Sequence, residues 1–419
     1  MSRFGPSRRR FLAATGVAGL AGPAVTGLRT GVRSLMPSSQ NPAAAVPIAS
    51  QQSRSLSPWF AGLSNRLSAT CSVVCLGDSI TEGVHASGPP STGFENRWLA
   101  RLRDVLRSRY PTQGLTGGGR GFIGATSSGE GSFAWPAALA GSPITAATGG
   151  PKAKFVQLGG AGQSITFALA GDSADIMWMQ AAFGGTFSWA VDGGTATRVS
   201  TNGSSTVDGR ITHIPLGSPG PHTLVLSWVS GNGNIDGVVE YNGDYGRGIS
   251  VHDAGHYGWQ TSSWVNALNN GAVSGPAAAI AALSPSAIII TLGSNDQYTG
   301  VDPATFQSRL QAIIASLRAR LANPYPAIVL NMLPARVSQS GYTFPWSQYV
   351  AAAYNVAAAD TAGPGGMSVV SVMDFTVIPA MPGADTDAYG FWQSGDLVHP
   401  SNRGHQMIAD CLTAFLSES

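Results

Sequence analysis

The stretch that decides the fold is Cys71-Ser72-Val73-Val74-Cys75-Leu76-Gly77-Asp78-Ser79, an apolar run that stops abruptly at a polar turn. A short apolar run of this kind is typical of a strand that is buried on both faces of a parallel sheet. Apolar residues then recur at helical spacing between Phe94 and Tyr110, and Pro111 ends the pattern. Strand, turn and helix in this order predict the beginning of an α/β domain.

The same alternation of strand and helix returns in the C-terminal part of the chain. Short runs rich in β-branched residues alternate there with longer runs of helical spacing. The predicted strands are 287–292, 327–333 and 367–373, and the predicted helices are 303–321, 346–360 and 401–416. With the first strand, this gives four parallel strands flanked by helices, which predicts a three-layer α/β/α sheet.

The pattern changes between residues 155 and 249, where short runs of alternating polar and apolar residues are separated by Gly, Asn, Asp and Pro. Such runs are typical of antiparallel strands with one buried face. We therefore predict that residues 151–249 form an inserted antiparallel β-sandwich, with a sequence pattern similar to that of jelly-roll modules. The α/β domain is then built from residues 66–150 and 250–419.

Residues 1–24 are predicted to be an export signal. Ser7-Arg8-Arg9-Arg10-Phe11-Leu12 precedes a weakly apolar stretch rich in Ala and Gly, and the whole resembles a twin-arginine signal peptide. Residues 25–65, rich in Ser, Pro, Ala and Gln, are predicted to be a linker. We therefore expect the protein to be secreted or held in the cell envelope.

The charge of the chain argues against two classes of partner. The whole chain has 24 basic and 22 acidic residues, and removal of residues 1–24 takes away four arginines and no acid. The formal charge then changes from +2 to −2, with 20 basic and 22 acidic residues left. We therefore expect neither nucleic acid as a partner nor stable insertion into a membrane.

Three polar blocks lie where strands end or where the last helix begins. Gly77-Asp78-Ser79 follows the first strand, Gly293-Ser294-Asn295-Asp296 follows the strand 287–292, and Asp396-Leu397-Val398-His399 precedes the last helix. Parallel sheets bind ligands at the carboxyl ends of their strands. A serine nucleophile requires a base and an acceptor that orients the base, and Asp396 and His399 supply both. The amide of Asn295 can donate a hydrogen bond to an oxyanion.

These blocks in this order, G-D-S, G-x-N-D and D-x-x-H, resemble those of the SGNH (GDSL-like) hydrolase family. The resemblance covers about residues 70–110 and 250–417. It implies a serine esterase in which Ser79 is the nucleophile, His399 is the base and Asp396 orients the base. It also implies an oxyanion hole formed by the N–H of Ser79, the N–H of a glycine and the amide of Asn295. It implies no metal and no cofactor.

The glycine block of the family is best matched by Ala254-Gly255-His256-Tyr257-Gly258-Trp259-Gln260-Thr261. Gly258 is the predicted oxyanion-hole glycine, and Gly255 is the alternative. Aromatic and His residues stand here where the family often has small polar ones. In compact family members this block follows the serine after a few dozen residues, so the β unit is predicted to be inserted between the first two blocks.

The predicted function is that of a secreted serine esterase that removes short acyl groups, acetyl above all, from an ester substrate such as an acetylated polysaccharide. A lipase or lipid-ester hydrolase and a cell-envelope O-acyltransferase remain as alternatives, because they use the same catalytic residues. A lipase is expected to expose a large apolar patch or an amphipathic lid. The best candidate for a lid, 114–150, has only scattered large apolar residues.

Overall fold

The computed structural model of the protein describes residues 54–417, except 88–92, 116, 128, 130–132, 269–274, 323, 337–340, 379–386, 388 and 397. The helices of the described residues are α1 (Ser57–Ser64), α2 (Ser79–Glu82), α3 (Trp98–Arg109), α4 (Thr261–Leu268), α5 (Pro276–Ala282), α6 (Ser294–Tyr298), α7 (Pro303–Arg318), α8 (Trp346–Ala359) and α9 (Asn402–Phe415), with short 3-10 turns at Phe94–Asn96, Pro364–Gly366 and Phe375–Val377. The strands are β1 (Thr70–Gly77), β2 (Gly121–Gly124), β3 (Ala137–Ala140), β4 (Ile144–Ala147), β5 (Lys154–Leu158), β6 (Ser164–Leu169), β7 (Ser173–Gln180), β8 (Thr186–Val191), β9 (Thr197–Ser200), β10 (Val207–Pro215), β11 (His222–Ser230), β12 (Gly233–Tyr241), β13 (Gly248–Gly255), β14 (Pro285–Thr291), β15 (Ala327–Met332) and β16 (Val370–Asp374).

Five parallel strands form one sheet in the order β13-β1-β14-β15-β16. Neighbouring side chains along a strand point to opposite faces. Val74 and Ile290 therefore pack on the side of α4, α7 and α8, whereas Val73 and Ile289 pack on the side of α1, α3 and α9. The predicted three-layer α/β/α fold is confirmed.

The sheet contains a fifth strand, β13, beside the four that the sequence predicts. It pairs with β1 in parallel from Thr70 and Gly248 to Gly77 and Gly255. Its polar residues, which include His252 and Asp253, are buried. Because polar residues interrupt its apolar pattern, β13 does not stand out from the sequence as a central strand does.

Two further sheets confirm the predicted antiparallel β unit. One has the strand order β10-β7-β12-β5-β4, with β2 also paired to β12, and the other has the order β3-β6-β11-β8-β9. Apolar side chains of the two sheets share one core. The unit does not begin at residue 151, because β2, β3 and β4 lie before it. The predicted boundary is wrong here because these strands are short and rich in Gly and Ala, which have weak β-propensity.

Helix α1 corrects the predicted linker 25–65. The side chain of Trp59 is buried in the core, and its indole N–H donates a hydrogen bond to the carbonyl of Leu416 at 2.8 Å. Leu56, Trp59 and Leu63 recur at helical spacing and form one buried stripe. The folded domain therefore includes residues 54–65. The predicted signal, 1–24, and the rest of the linker, 25–53, lie outside the described residues. None of the helices in the described ranges has the length and apolar character needed to cross a membrane.

Candidate active site

Three of the predicted blocks meet at the carboxyl edge of three neighbouring strands. Gly77, the last residue of β1, is paired with Gly255 at the end of β13 on one side and with Thr291 at the end of β14 on the other. The chain therefore delivers three segments to the same place: the Ser79 turn, the loop 256–260 and the Asn295 turn. This edge is where parallel sheets bind their ligands.

The Ser79 turn is sharp and is fixed by its neighbours. Asp78 caps α2, because its Oδ1 accepts a hydrogen bond of 2.9 Å from the N–H of Ile80. A Cβ at Gly77 would lie 2.1 Å from Oγ1 of Thr81, so glycine is required where the strand turns into the helix. Ser79 is the first residue of α2, and its N–H therefore has no acceptor within the helix.

Ser79, His399 and Asp396 are hydrogen bonded in series. Oγ of Ser79 lies 2.9 Å from Nε2 of His399, and Nδ1 of His399 lies 2.8 Å from Oδ2 of Asp396. An ionised carboxylate only accepts hydrogen bonds, so Nδ1 carries the proton and Nε2 is free to accept the hydroxyl proton of Ser79. The structure thus brings together the three residues that the sequence analysis predicts as nucleophile, base and orienting acid.

The surroundings keep this base uncharged and this acid ionised. Burial lowers the pKa of His399 below its usual value, and the neighbouring side chains of His85 and Arg336 lower it further, against the effect of Asp396. Burial alone would raise the pKa of Asp396, but its interactions with His399 and the hydrogen bonds from the N–H groups of Val398 and His399 outweigh burial and hold that pKa below its usual value. A base and an acceptor in these states are what proton abstraction from a serine requires.

A second histidine, His85, contacts Asp396, and no motif in the sequence indicates it. Nε2 of His85 lies 2.7 Å from Oδ2 of Asp396, the oxygen that also accepts from His399. The ring centroids of His85 and His399 are 5.5 Å apart. His85 has a φ of +64°, which is uncommon outside glycine. Because His85 belongs to none of the family's blocks and is distant from Asp396 along the chain, no motif points to it.

His85, Asp396 and His399 also offer three metal-ligating atoms within 4.8 Å of one another. In the structure these atoms are joined by hydrogen bonds, with Oδ2 of Asp396 as the shared acceptor. The expectation that the chemistry needs no metal and no cofactor stays a prediction. Removal of metal ions with a chelator tests it.

Gly258 and Gly255 differ in the partners of their N–H groups. The N–H of Gly255 donates a hydrogen bond of 2.8 Å to Oδ1 of Asp253, and a Cβ at Gly255 would lie 2.4 Å from the backbone nitrogen of Glu82. For the N–H of Gly258, no acceptor is found in the part of the chain that the structure describes. Gly258 has a φ of +73°, and a Cβ there would lie within 4 Å of no atom of the described residues. The geometry favours Gly258 for the predicted oxyanion role.

The Asn295 amide is held on both sides. Its Nδ2 donates a hydrogen bond of 3.0 Å to the carbonyl of Trp259, and its Oδ1 accepts one of 3.0 Å from Nη2 of Arg336. Arg336 also donates through Nε to Oγ of Ser294 at 2.6 Å. Arg336 is therefore a further residue of the site, and the sequence does not indicate it. It follows β15, in a stretch without a family motif.

A small pocket lies between the Ser79 turn and the Asn295 turn. Its volume is about 10 Å³, which is room for about one water-sized group. The side chains that line it include Ile80, Leu292, Leu333, Trp346, Trp392 and Arg336. Asp78 also faces the pocket, and burial raises its pKa to about 7, against the effects of the Ile80 N–H and of Arg336.

Comparison with known families agrees with this site. The profile of the GDSL-like lipase/acylhydrolase family matches residues 203–407, which include the glycine, Asn295 and Asp396-to-His399 blocks. Ser79 lies ahead of the matched range, on the other side of most of the β unit. A search of curated proteins gives no significant match.

Among solved structures, a peptidoglycan O-acetylesterase is similar over 85% of this chain and 94% of its own, with 16% identity and a TM-score of 0.57. At that score the two chains share a fold. A putative lipolytic protein of the G-D-S-L family from Desulfitobacterium hafniense aligns over 82% of this chain and 98% of its own, with 12% identity and a TM-score of 0.37. A family two carbohydrate esterase from Clostridium thermocellum aligns over 65% of this chain and 97% of its own, with 15% identity and a TM-score of 0.31.

Proposed function

We propose that this chain, which is an SGNH-type hydrolase with a domain of the GDSL-like lipase/acylhydrolase family, removes acetyl and other short acyl groups from carbohydrate esters through a Ser-His-Asp mechanism. The observation that carries the proposal is the hydrogen-bonded series from Ser79 Oγ through His399 to Asp396, with contacts of 2.9 and 2.8 Å. A serine hydroxyl held against an uncharged, oriented imidazole is the arrangement that acyl transfer to serine requires.

In the first half of the reaction, Oγ of Ser79 attacks the ester carbonyl carbon while Nε2 of His399 takes the hydroxyl proton. Asp396 keeps the proton of His399 on Nδ1 and stabilises the imidazolium that forms. The tetrahedral intermediate carries its negative charge on the former carbonyl oxygen. As that intermediate collapses, His399 returns its proton to the leaving alcohol oxygen and Ser79 is left acylated.

The negative charge of the intermediate is stabilised by three donors. These are the N–H of Ser79 at the beginning of α2, the N–H of Gly258 and the Nδ2 amide of Asn295. Water then attacks the acyl-enzyme with His399 as the base, and the same donors stabilise the second intermediate. This step releases the acid and restores the Ser79 hydroxyl. Preorganised donors of this kind supply a large part of the rate enhancement in acyl transfer.

We propose acetyl as the acyl group on two grounds. The stretch 114–150, which is the best candidate for an apolar lid, has only scattered large apolar residues. The fold is shared with a peptidoglycan O-acetylesterase.

Two partly exposed tyrosines support a polar, ring-shaped alcohol. The ring of Tyr257 lies 6.5 Å from the ring of His399 and nearly parallel to it, at 15°. Tyr298 ends the short helix that begins beside Asn295, and it is largely exposed. Aromatic faces with a polar tip suit sugar rings. The shared fold with a peptidoglycan O-acetylesterase gives further support to an acetylated glycan as the substrate.

We further propose that the protein works outside the cytoplasm, in the envelope or secreted. The support for this is the twin-arginine-like sequence Ser7-Arg8-Arg9-Arg10-Phe11-Leu12. Expression of the full chain and of a variant in which Arg8 and Arg9 are both replaced by lysine tests the proposal. Export of the unchanged chain and retention of the variant in the cytoplasm are expected, and equal distribution of both would contradict it.

The substrate proposal is tested with p-nitrophenyl esters of graded chain length and with an O-acetylated glycan from which released acetate is measured. We expect acetate and butyrate esters to be cleaved at least about tenfold faster than the palmitate ester, because the stretch 114–150 lacks the apolar pattern of a lipase lid. Ser79→Ala serves as the inactive control. Preference for palmitate with a rise in rate at a lipid interface would replace the proposal with a lipase. Transfer of acetyl to an added sugar without release of acetate would replace it with an acyltransferase.

A further inference from the structure

We propose that a buried ion network beneath the active site couples the antiparallel β unit to the loop 256–260, and that Lys152 is the positioning residue through which it does so. The network consists of Arg97, Lys152, Asp253 and Glu82. The inference rests on the proposed function, since it assigns the network a role in holding the oxyanion-hole loop.

The network has two cations and two carboxylates in contact. Oδ2 of Asp253 accepts hydrogen bonds from Nη1 of Arg97 at 2.7 Å and from Nζ of Lys152 at 3.0 Å. Nζ of Lys152 also lies 3.5 Å from Oε1 of Glu82. All four residues are at most 4% exposed. Buried charges of this kind are tolerated only when they are paired, and removal of one partner leaves another charge uncompensated.

Asp253 connects the network to the beginning of the loop. It lies on β13, and its Oδ1 accepts the hydrogen bond from the N–H of Gly255. Gly255 in turn packs against the backbone of Glu82, in the short helix that begins at Ser79. The network therefore touches both the helix of the proposed nucleophile and the strand that leads to Gly258.

Lys152 holds the loop a second time through its carbonyl oxygen. Burial lowers the pKa of His256 to about 4, so its ring is neutral at physiological pH, and Nδ1 donates a hydrogen bond of 2.7 Å to this carbonyl. The ring of His256 stacks on that of Trp259, with centroids 3.8 Å apart and an angle of 18°. The carbonyl of Trp259 accepts the hydrogen bond from Asn295. Lys152 is thus linked by successive contacts to Gly258 and Asn295, the two predicted oxyanion donors other than the N–H of Ser79.

Lys152 belongs to the β unit and not to the α/β domain. It lies between β4 and β5, which are paired in the same antiparallel sheet. Nζ of Lys152 also lies 5.0 Å from the ring of Trp135, another residue of this region. Gly258 itself does not pack against the residues that the structure describes, because a Cβ there would meet none of their atoms within 4 Å. The position of its N–H therefore depends on how the flanking residues of the loop are held.

The chain offers a matched control, because its only two lysines are Lys152 and Lys154. Lys154 is half-buried, and its Nζ donates a hydrogen bond of 2.9 Å to the carbonyl of Ser127, which is not a residue of the network. Glu82 and Lys152 affect Lys154 only through longer-range charge interactions. We compare Lys152→Met with Lys154→Met in the full chain, with p-nitrophenyl acetate as substrate. Circular dichroism establishes a temperature at which all the proteins are folded.

At that temperature we expect kcat of Lys152→Met to fall about 10- to 100-fold while KM changes by less than about threefold, because positioning of the oxyanion donors matters most in the transition state. Lys154→Met is expected to keep the kcat of the unchanged protein. A lower melting temperature of Lys152→Met with an unchanged kcat would mean that the network only stabilises the fold, and would overturn the proposal.

A second variant tests the proposal in case Lys152→Met does not fold. Lys152→Met combined with Glu82→Gln removes one charge of each sign, so the remaining Arg97 and Asp253 stay balanced. We expect this double variant to lose kcat as the single variant does, and a double variant with the kcat of the unchanged protein would overturn the proposal.

Hydrogen exchange gives a readout that does not require activity. Peptides covering 253–261 are expected to exchange faster in Lys152→Met than in Lys154→Met, and equal exchange would contradict the coupling. If the unchanged protein does not hydrolyse p-nitrophenyl acetate, the proposed function fails while the exchange measurement still tests the network.

Discussion

Nε2 of His85 lies 2.7 Å from Oδ2 of Asp396. The proposed catalytic carboxylate is therefore shared between two imidazoles, since the same oxygen accepts from Nδ1 of His399. The rate of the reaction is expected to depend on pH through His399, because only its uncharged form can act as a base.

We expect the acid limb of the kcat/KM profile to lie below pH 6.5, since burial, followed by the effects of His85 and Arg336, lowers the pKa of His399. His85→Gln takes away one influence that lowers the pKa of His399, so the limb is expected to move to higher pH. The profiles of the two proteins, measured with p-nitrophenyl acetate, check this. A limb that stays in place or moves to lower pH would contradict it.

Arg336 is expected to act through Asn295. Arg336→Met should lower kcat about 10- to 100-fold, because the amide loses the hydrogen bond that fixes its orientation. Arg336→Lys should recover only part of the loss, since lysine lacks the planar fork that reaches both Ser294 and Asn295. The decisive comparison is a double-mutant cycle. On an Asn295→Ala background, Arg336→Met is expected to have little further effect, and fully additive losses would show that Arg336 acts elsewhere.

Metal removal is expected to leave the activity unchanged, because the proposed mechanism uses no ion. Added Zn²⁺, in contrast, is expected to inhibit, since His85, Asp396 and His399 offer three ligand atoms within 4.8 Å and binding there would draw His399 away from Ser79. Activity after dialysis against a chelator, and titration with Zn²⁺, check the two statements. Loss of activity on chelation that returns with an added metal would require a different mechanism.

The β unit contains a buried pair of acids that should affect stability. Asp208 accepts hydrogen bonds from the N–H groups of Gly150 and Gly209, at 2.9 and 2.8 Å. Burial, together with the neighbouring Asp208, raises the pKa of Asp236 well above its usual value. Asp236 therefore stays protonated in the folded protein where the unfolded chain would ionise, so this group favours unfolding increasingly as the pH rises above about 4.

Asp236→Asn removes that ionisation and is expected to raise the melting temperature at pH 8, by an amount that shrinks towards pH 4. Thermal unfolding of both proteins at several pH values checks this expectation. A variant that is less stable than the unchanged protein at pH 8 would contradict this account.

The sequence could predict the α/β/α sheet and the residues of the candidate triad because both depend on local signals. Each central strand is a short apolar run, and Ser79, Asn295 and the Asp396-to-His399 pair each lie in a short motif beside a strand or helix end. Residues joined only by tertiary contacts leave no such signal. His85, Arg336 and Lys152 come from unrelated segments, and nothing near them in the chain indicates their partners.

The boundary errors have similar physical causes. Helix α1 follows a Ser- and Pro-rich stretch, and its buried face is only two turns long. The strands β3 and β4 have only four residues each, of which three and two are alanine, and they are held by pairing with β6 and β5. Such segments acquire their structure from neighbours that are distant in sequence.

The central claim is that Ser79 becomes acylated, and covalent labelling tests it most directly. The full chain is treated with a fluorophosphonate, which reacts with a serine that is activated by a neighbouring base, and the adduct is located by mass spectrometry of its peptides. We predict a single adduct on Ser79, formed in step with the loss of esterase activity and absent from Ser79→Ala. An adduct on another residue, or full hydrolysis of p-nitrophenyl acetate by Ser79→Ala, would contradict the account.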